Sequence, residues 1–514
     1  MNSKKRVIIA FVLIFGVMLA SASAYFLIIS DGGSADIALM EATAQVTPSP
    51  SFAPTHTPTA SPTFTPSPTP VPEKPKYIFI VIGDGMGFSH LILGAMYEKI
   101  LYEDSGYLPY WDRFDIKSQS ATGIESAMGG TMIATGYDGE QTVVSMDSEG
   151  HELVTIMDRA KQAGMATGVI SNSYIVDATP ASFLAHTPVR TDYLDIAAQI
   201  PYSGVDYIAS GGLDYFLSDS MREEYGKYDI RDVQYRYLGD ESTLQNAQDN
   251  GYLTYMGADG SDFMALDDYS FIGAQKVLDL FAAKNTSYRW NKYGSRMEKK
   301  EVHEPDLEEM TRTGIDILSR NEEGFVFAIE EALIDKSSHN LWMQITTTEM
   351  HVMNETLKVI YEFYEQHPYE TLVIFTADHE TSDMSYSDDF AQRISTLPDI
   401  DWHQDSGVIY DFLKDEWGLR LSESKIQEKI DAAKLDIWGS EEKNYTLLHS
   451  YIAAYMCEEN GLTMNSKYHS RQPVPLYTLG VKAQEFSGCE NLYEIPRTIC
   501  DIMGWDNLPE IFIE

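Results

Sequence analysis

Three segments of the chain run through apolar, largely β-favouring residues and then meet an acid. Tyr77-Ile78-Phe79-Ile80-Val81-Ile82 stops at Gly83-Asp84-Gly85-Met86-Gly87. Thr371-Leu372-Val373-Ile374-Phe375-Thr376 runs into Ala377-Asp378-His379. Phe325-Val326-Phe327-Ala328-Ile329 runs into Glu330, with Asp335 and His339 following. In an open α/β sheet, ligands gather beyond the carboxyl ends of the strands, so acids and histidines at several such ends point to a metal site. A fourth segment offers a nucleophile. The run from Glu125 to Gly136 is rich in small residues and reads as a helix that begins at Ser126 and stops at Gly136. Backbone N–H groups and the positive helix end beside that hydroxyl favour a phosphoryl group on its oxygen. A serine in such a place is most often a plain N-cap. No histidine lies nearby in sequence to serve as its base, so activation falls to tertiary contacts or to metal.

The elements that must position these side chains follow from the same patterns. Continuous apolar runs predict strands buried on both faces, as in a parallel sheet. Between them, Leu153–Ala163 is amphipathic and precedes the strand Thr167–Ser171. Glu308–Arg320 leads into the Phe325 strand, and Glu349–Gln366 leads into the Thr371 strand. This βαβ rhythm predicts one α/β fold, a doubly wound and mostly parallel central sheet with helices on both faces and with insertions, over residues 76–514. No fixed-period repeat is visible, which removes solenoids and propellers.

The chain has 514 residues, 44% hydrophobic and 12% aromatic, as expected of a globular protein and not of a disordered one. Its formal net charge is −41; residues 1–73 hold only three basic and four acidic side chains, so the charge belongs to the rest. A field of that sign repels nucleic-acid backbones and anionic membrane surfaces, which predicts no nucleic-acid binding. Cys457, Cys489 and Cys500 are too few and too late for a disulfide framework, and no C-x-x-C occurs.

The amino-terminal region reads as an address and a tether. Lys4, Lys5 and Arg6 precede an uncharged run from Val7 to Ile29, long enough to cross a hydrocarbon layer of about 30 Å. Residues 1–30 therefore form a signal-anchor, or a signal peptide if cleavage follows Ala24, and the positive-inside rule places everything downstream outside the cytoplasm. Residues 31–75 form a linker, Thr/Pro/Ser-rich from Thr47 with ten prolines in Thr47–Pro75. Such a chain forms a semi-rigid extended stalk.

Taken together, the motifs resemble the alkaline phosphatases. The match comprises the Gly83-to-Gly87 turn, the Ser126…Thr131…Thr135-Gly136 helix, Asp177-Ala178-Thr179-Pro180-Ala181 with His186 and Arg190 after it, Glu330…Asp335-Lys336…His339, Thr376-Ala377-Asp378-His379, and His469. These stand in the family's order and with its local spacings. The resemblance implies that Asp335, His339 and His469 hold one zinc, and that Asp84, Asp378 and His379 hold a second. Asp84 would bridge to one magnesium held by Thr179 and Glu330, with Asp177 acting through metal-bound water. Histidine with carboxylate suits zinc, and an all-oxygen set suits magnesium. By the same resemblance Ser126 attacks phosphorus, two zincs clamp the attacking and leaving oxygens, and Arg190 grips two non-bridging oxygens.

Two departures from the family pattern stand out. Members usually carry Asp before the serine, where it helps to hold the arginine; here it is Glu125, whose extra methylene shifts that contact by about 1 Å. The usual Val-Lys after Gly136 is Tyr137-Asp138, which the sequence does not explain. Lys336 reads equally as a surface charge or as a support for the site. His186 packs or hydrogen-bonds, and His90, His351, His367, His403 and His449 read as ordinary packing or surface residues. An insertion at about 382–468, with helical stretches Gly407–Trp417 and Glu423–Lys434, overhangs the site, mediates a homodimer, or is a solvent-facing decoration.

The function so read is an extracytoplasmic, metal-dependent hydrolase of small phosphate monoesters that works through a phosphoserine at Ser126. Two alternatives remain: a phosphodiesterase of the same superfamily, and a stalked surface protein whose site has decayed. A sulfatase is disfavoured because Ser126-Ala127-Met128-Gly129-Gly130 lacks the Pro and Arg of that family's modification motif.

Overall fold

Strand β1 (Tyr77–Gly83) is buried along its whole length, because its apolar side chains leave neither face fit for water. It sits near the middle of a nine-stranded sheet. The other strands are β2 (Ile116–Ser120), β3 (Ala166–Tyr174), β4 (Tyr207–Gly211), β5 (Tyr252–Met256), β6 (Lys276–Leu280), β7 (Phe325–Glu331), β8 (Thr371–Thr376) and β9 (Val474–Gly480), in the spatial order β2-β9-β8-β1-β7-β3-β4-β6-β5. Every neighbouring pair is parallel except those made by β9, which runs against both β8 and β2. The computed structural model describes residues 73–512 apart from 103–106, 122, 219–241, 257–275, 283, 287, 289–303, 388–452, 456 and 459.

The helices used below are α1 (Phe88–Leu101), α2 (Ser126–Thr135), α3 (Ile156–Gln162), α4 (Leu307–Leu318), α5 (Leu333–His339) and α6 (Met343–Gln366). They pack on both faces of the sheet, giving the expected doubly wound α/β architecture. Phe79, Phe325 and Phe363 join β1, β7 and α6 through edge-to-face contacts, with Phe79 at 5.1 Å from Phe325 and 5.7 Å from Phe363 between ring centroids. The residues from Thr69 to Glu514 form one compact unit.

Some boundaries differ from the sequence reading for visible reasons. Helix α3 starts at Ile156, because Thr155 and Asp158 form a reciprocal capping box and Leu153 is taken by a β-bridge to Ile511. Strand β3 continues to Tyr174 through a register shift between Ile170 and Tyr174. Helix α6 begins six residues before Glu349, at Met343. Glu125, not Ser126, is the N-cap of α2: its side chain accepts from Met128 N, while Gly136 closes the helix in the left-handed region at φ 70 as expected. Cys457, Cys489 and Cys500 are buried and unpaired. Among the described residues, no helix is long and apolar enough to cross a membrane. The expected anchor at 1–30, nearly all of the linker, and the helical stretches Gly407–Trp417 and Glu423–Lys434 lie outside the described residues, as do His403 and His449.

Candidate active site

The site is built at the carboxyl ends of four adjacent strands. β1 leads to Asp84, β7 carries Glu330 and leads into α5 with Asp335, Lys336 and His339, β8 leads to Asp378 and His379, and β3 leads to Asp177 and Thr179. On α5, Asp335 and His339 stand four residues apart and so share one helix face. His469 comes from a short strand, His469–Ser470, paired antiparallel with Glu380–Thr381. That pairing sets His469 opposite Thr381 and stacks its ring on His379, with centroids 3.8 Å apart.

All six expected zinc-binding side chains converge. His379 Nε2 lies 3.4 Å from Asp84 Oδ1 and 3.4 Å from Asp378 Oδ2. His339 Nε2 lies 3.3 Å from Asp335 Oδ1 and 2.9 Å from His469 Nε2, which is 3.6 Å from the same Asp335 oxygen. Among the described residues, the compact three-residue groupings are Asp84, Asp378 and His379, and Asp335, His379 and His469, the latter with His379 in the place expected for His339. Ser126 Oγ stands 3.0 Å from His379 Nε2, so the hydroxyl faces the cluster from the start of α2.

The outer atoms of the three histidines fix their tautomers. His339 Nδ1 donates to the carbonyl of Lys467 at 2.7 Å, and His469 Nδ1 donates to that of Ile124 at 3.1 Å. His379 Nδ1 donates to Thr381 Oγ1 at 3.3 Å, whose own hydroxyl donates to Asp335. The Nε2 lone pairs are therefore turned inward, toward one another and toward carboxylate oxygens, an arrangement that repels itself without a cation between.

The electrostatics agree. Burial, then Asp378 and Asp335, raise the Asp84 carboxyl well above its usual range. Burial and Asp335 push Asp378 up to about 7. Burial and Asp177 push Glu330 up to about 8. Burial, then the neighbouring His469, hold the His379 imidazole well below its usual value. Asp84 Oδ1 is buried with no hydrogen-bond partner. A buried orphan oxygen, mutually repelling carboxyls and inward imidazole lone pairs together fit divalent cations. Thr179 Oγ1 lies 3.4 Å from Asp378 Oδ2, and Glu330 accepts a short hydrogen bond from Ser171, so hard oxygen donors border the histidine-containing groups.

Arg190 is held as a fork. Nη1 donates to Glu125 Oε1 in a short contact, and Nη2 donates to Asp177 Oδ1 at 3.0 Å. Glu125 thus reaches the arginine despite its extra methylene; its other oxygen accepts from Met128 N and Thr142 N at 3.3 and 3.1 Å. The sequence reading has Asp177 acting through metal-bound water. The structure gives all its capacity to protein donors: Ala178 N, Arg190, Ser173 Oγ and Lys336 Nζ at 2.7 Å. Although burial opposes ionisation, Lys336 and Arg190 hold that carboxyl well below the usual carboxylate range. Lys336 is accordingly a support for the site and not a surface charge. His186 Nε2 donates to the Leu153 carbonyl, His90 is buried against Gly87 N and Ser338 Oγ, His351 pairs with Glu98, and His367 pairs with Glu370, all packing roles as read.

Sequence reasoning missed Thr381, Ser171 and Asn172. Thr381 stands two residues after His379 in extended chain, so it shares its face; that spacing was the available signal. Ser171 sits opposite Glu330 in the β3–β7 register.

Close backbone approach holds the serine helix against the cluster. A Cβ on Gly129 would stand 2.6 Å from the Asp378 carbonyl oxygen and 2.7 Å from its Cβ. Ala is the better helix former by up to about 1 kcal/mol, yet Gly129→Ala must push α2 away from Asp378. A displacement near 1 Å costs about a hundredfold in rate. We expect kcat/KM to fall by that order, and a variant with unchanged kcat/KM would show that the approach does not set the hydroxyl.

A serine hydroxyl set against such a cluster, at the carboxyl edge of a doubly wound sheet, is the layout of a phosphoric-ester hydrolase. A family model for alkaline phosphatase matches residues 75–504, and the chain belongs to that family, whose members are phosphoric monoester hydrolases. It is 24% identical over 460 residues to alkaline phosphatase 3 of Bacillus subtilis (strain 168), covering 82% of this chain and 88% of that protein. It is 28% identical over 356 residues to alkaline phosphatase of Escherichia coli (strain K12), covering 60% and 70%. The solved alkaline phosphatase from the Antarctic bacterium TAB5 shares the fold with a TM-score of 0.58 at 19% identity, over 84% of this chain and 99% of that one. That of Thermus thermophilus does so with a TM-score of 0.60 at 16% identity, over 86% and 94%.

Proposed function

We propose that the protein hydrolyses small phosphate monoesters outside the cytoplasm, through a phosphoserine on Ser126. Asp335, His339 and His469 would hold one zinc, and Asp84, Asp378 and His379 a second. Asp84, Thr179 and Glu330 would hold a magnesium. The observation that carries this reading is the 3.0 Å approach of Ser126 Oγ to a histidine whose lone pair already faces two carboxylates. When bound, the ions supply positive charge that favours an ionised serine and a departing alkoxide.

The chain's own residues account for the rest. Ser126 Oγ releases its proton to solvent and forms a bond to phosphorus as the phosphorus–oxygen bond to the alcohol breaks, the leaving oxygen taking a proton from solvent in return; water then cleaves the phosphoserine, returning the hydroxyl and releasing phosphate. Glu125 and Asp177 each occupy one N–H of Arg190, which leaves one N–H on each terminal nitrogen for two non-bridging oxygens. The basic flank and uncharged run at residues 4–29 support placement of the catalytic part beyond a membrane.

Rates on p-nitrophenyl phosphate and on its bis ester test the substrate class. A monoester keeps three non-bridging oxygens for the arginine and the cations, whereas a diester gives one up to its second alcohol. The monoester should turn over faster, and a clear preference for the diester would overturn the proposal.

A further inference from the structure

Helix α5 carries Asp335, Lys336 and His339, yet its own sequence cannot cap it. The N-cap position is Ala332, and no side-chain cap bond is made there. The N–H groups at its start, which have no partner within the helix, are satisfied from elsewhere. Leu333 N donates to Glu331 Oε1 at 3.3 Å, and Ile334 N donates to Glu331 Oε2 at 3.0 Å. Ala332 N donates to Asn172 Oδ1 at 2.7 Å, and Asn172 Nδ2 donates back to Glu331 Oε1 at 2.7 Å. Only one orientation of the Asn172 amide serves both bonds.

Both side chains are buried, Asn172 at 4% exposure and Glu331 at 0%, so no water replaces either partner. Asn172 is itself anchored, since its carbonyl accepts from both the backbone and the hydroxyl of Thr286. It lies in the irregular stretch of β3 between Ile170 and Tyr174. Three consecutive side chains there meet partners: Ser171 stands opposite Glu330 in the β3–β7 register, Asn172 reaches Glu331 and Ser173 reaches Asp177.

We propose that Asn172 and Glu331 are positioning residues that set the axial and rotational placement of α5, and through it the aim of Asp335 and His339. The inference rests on the reading that those two side chains bind zinc. It predicts a selective defect, because Asp84, Asp378 and His379 lie on other elements. Loosening the start of α5 weakens one of the two zincs and spares the other.

The test uses the full chain, with zinc itself as the probe in a chelator-competition titration, read beside circular dichroism. Wild type should bind two zincs; binding of none would fail the functional reading and not this one. Asn172→Ala leaves Ala332 N without its acceptor, and Asn172→Asp sets two carboxylates against each other. Each should weaken one zinc by about tenfold or more and leave the second at wild-type affinity. The exchange variant Asn172→Asp with Glu331→Gln keeps the charge and again sets one amide against one carboxylate, with the donor now on β7 and the acceptor on β3; the amide nitrogen that replaces Oε1 forfeits only the 3.3 Å bond from Leu333 N, so this variant should restore most of the lost affinity. Wild-type affinity for both zincs in folded Asn172→Ala overturns the proposal, and so does equal weakening of both. If Asn172→Asp does not fold, the exchange variant decides. Recovery of two tight zincs supports the pairing, and a folded exchange variant as weak as Asn172→Ala overturns it.

Discussion

Ser126→Ala should lower kcat on p-nitrophenyl phosphate by about ten-thousandfold or more, because removing a covalent nucleophile closes the two-step path. Ser126 is 4% exposed and the described side-chain partner of its hydroxyl is His379 Nε2. Its loss therefore removes chemistry and little packing. Zinc content should stay at two per chain and the thermal midpoint should stay close to wild type. Those two controls separate a missing nucleophile from a collapsed site. Retention of more than a tenth of the wild-type rate, with zinc bound, would sink the phosphoserine route.

Stripping the ions should be the second large effect, and its size should depend on pH in a direction fixed by the buried acids. Activity is lost at any pH, and the metal-free fold should become less stable between about pH 6.5 and 8. Asp378 and Glu330, at about 7 and about 8 in the fold, hold protons that the unfolded chain has already released at ordinary carboxylate values. The fold thus binds more protons than the unfolded state over this window, so its stability falls as pH rises. His339, raised chiefly by its hydrogen bond to Asp335, acts with the same sign. His379 and His469 are lowered and act oppositely, but chiefly below about 7, since an unfolded imidazole is half protonated at about 6.5 and mostly neutral above. Zinc takes the place of those protons, so the rise in thermal midpoint on restoring it should be greater at pH 8 than at pH 6.5. Melting curves of chelated and zinc-loaded protein at the two values check this. A chelated protein that grows more stable over the interval would contradict it.

Much of this site is readable before any coordinates because strand ends and helix faces convert one-dimensional spacing into position. Asp84, Asp378 and Glu330 each follow an apolar run, and a parallel strand delivers its last residue to the same sheet edge. Asp335 and His339 are legible as a pair for the helical reason that four residues nearly complete a turn. What the sequence hid was support. Asn172 and Ser171 sit inside a buried strand where a polar residue signals nothing until the neighbouring strand's register brings Glu331 and Glu330 opposite. The cap of α2 was misassigned because serine is the commoner N-cap type, whereas Glu125 takes the place by using one oxygen on the helix and the other on Arg190. Residues 208–300 are irregular and rich in Tyr and Asp, with no role legible in the sequence, yet β5 and β6 extend the sheet there through ordinary parallel pairing.

His469 enters from the far end of the polypeptide, on a strand pair that cannot exist until the segment after Lys467 has been made. A ribosome-bound or prematurely terminated product therefore has every side chain proposed for one zinc but lacks a ligand proposed for the other, whose filling would wait for the end of synthesis. Fragments that stop before Lys467 should therefore take up one zinc fewer than the finished chain.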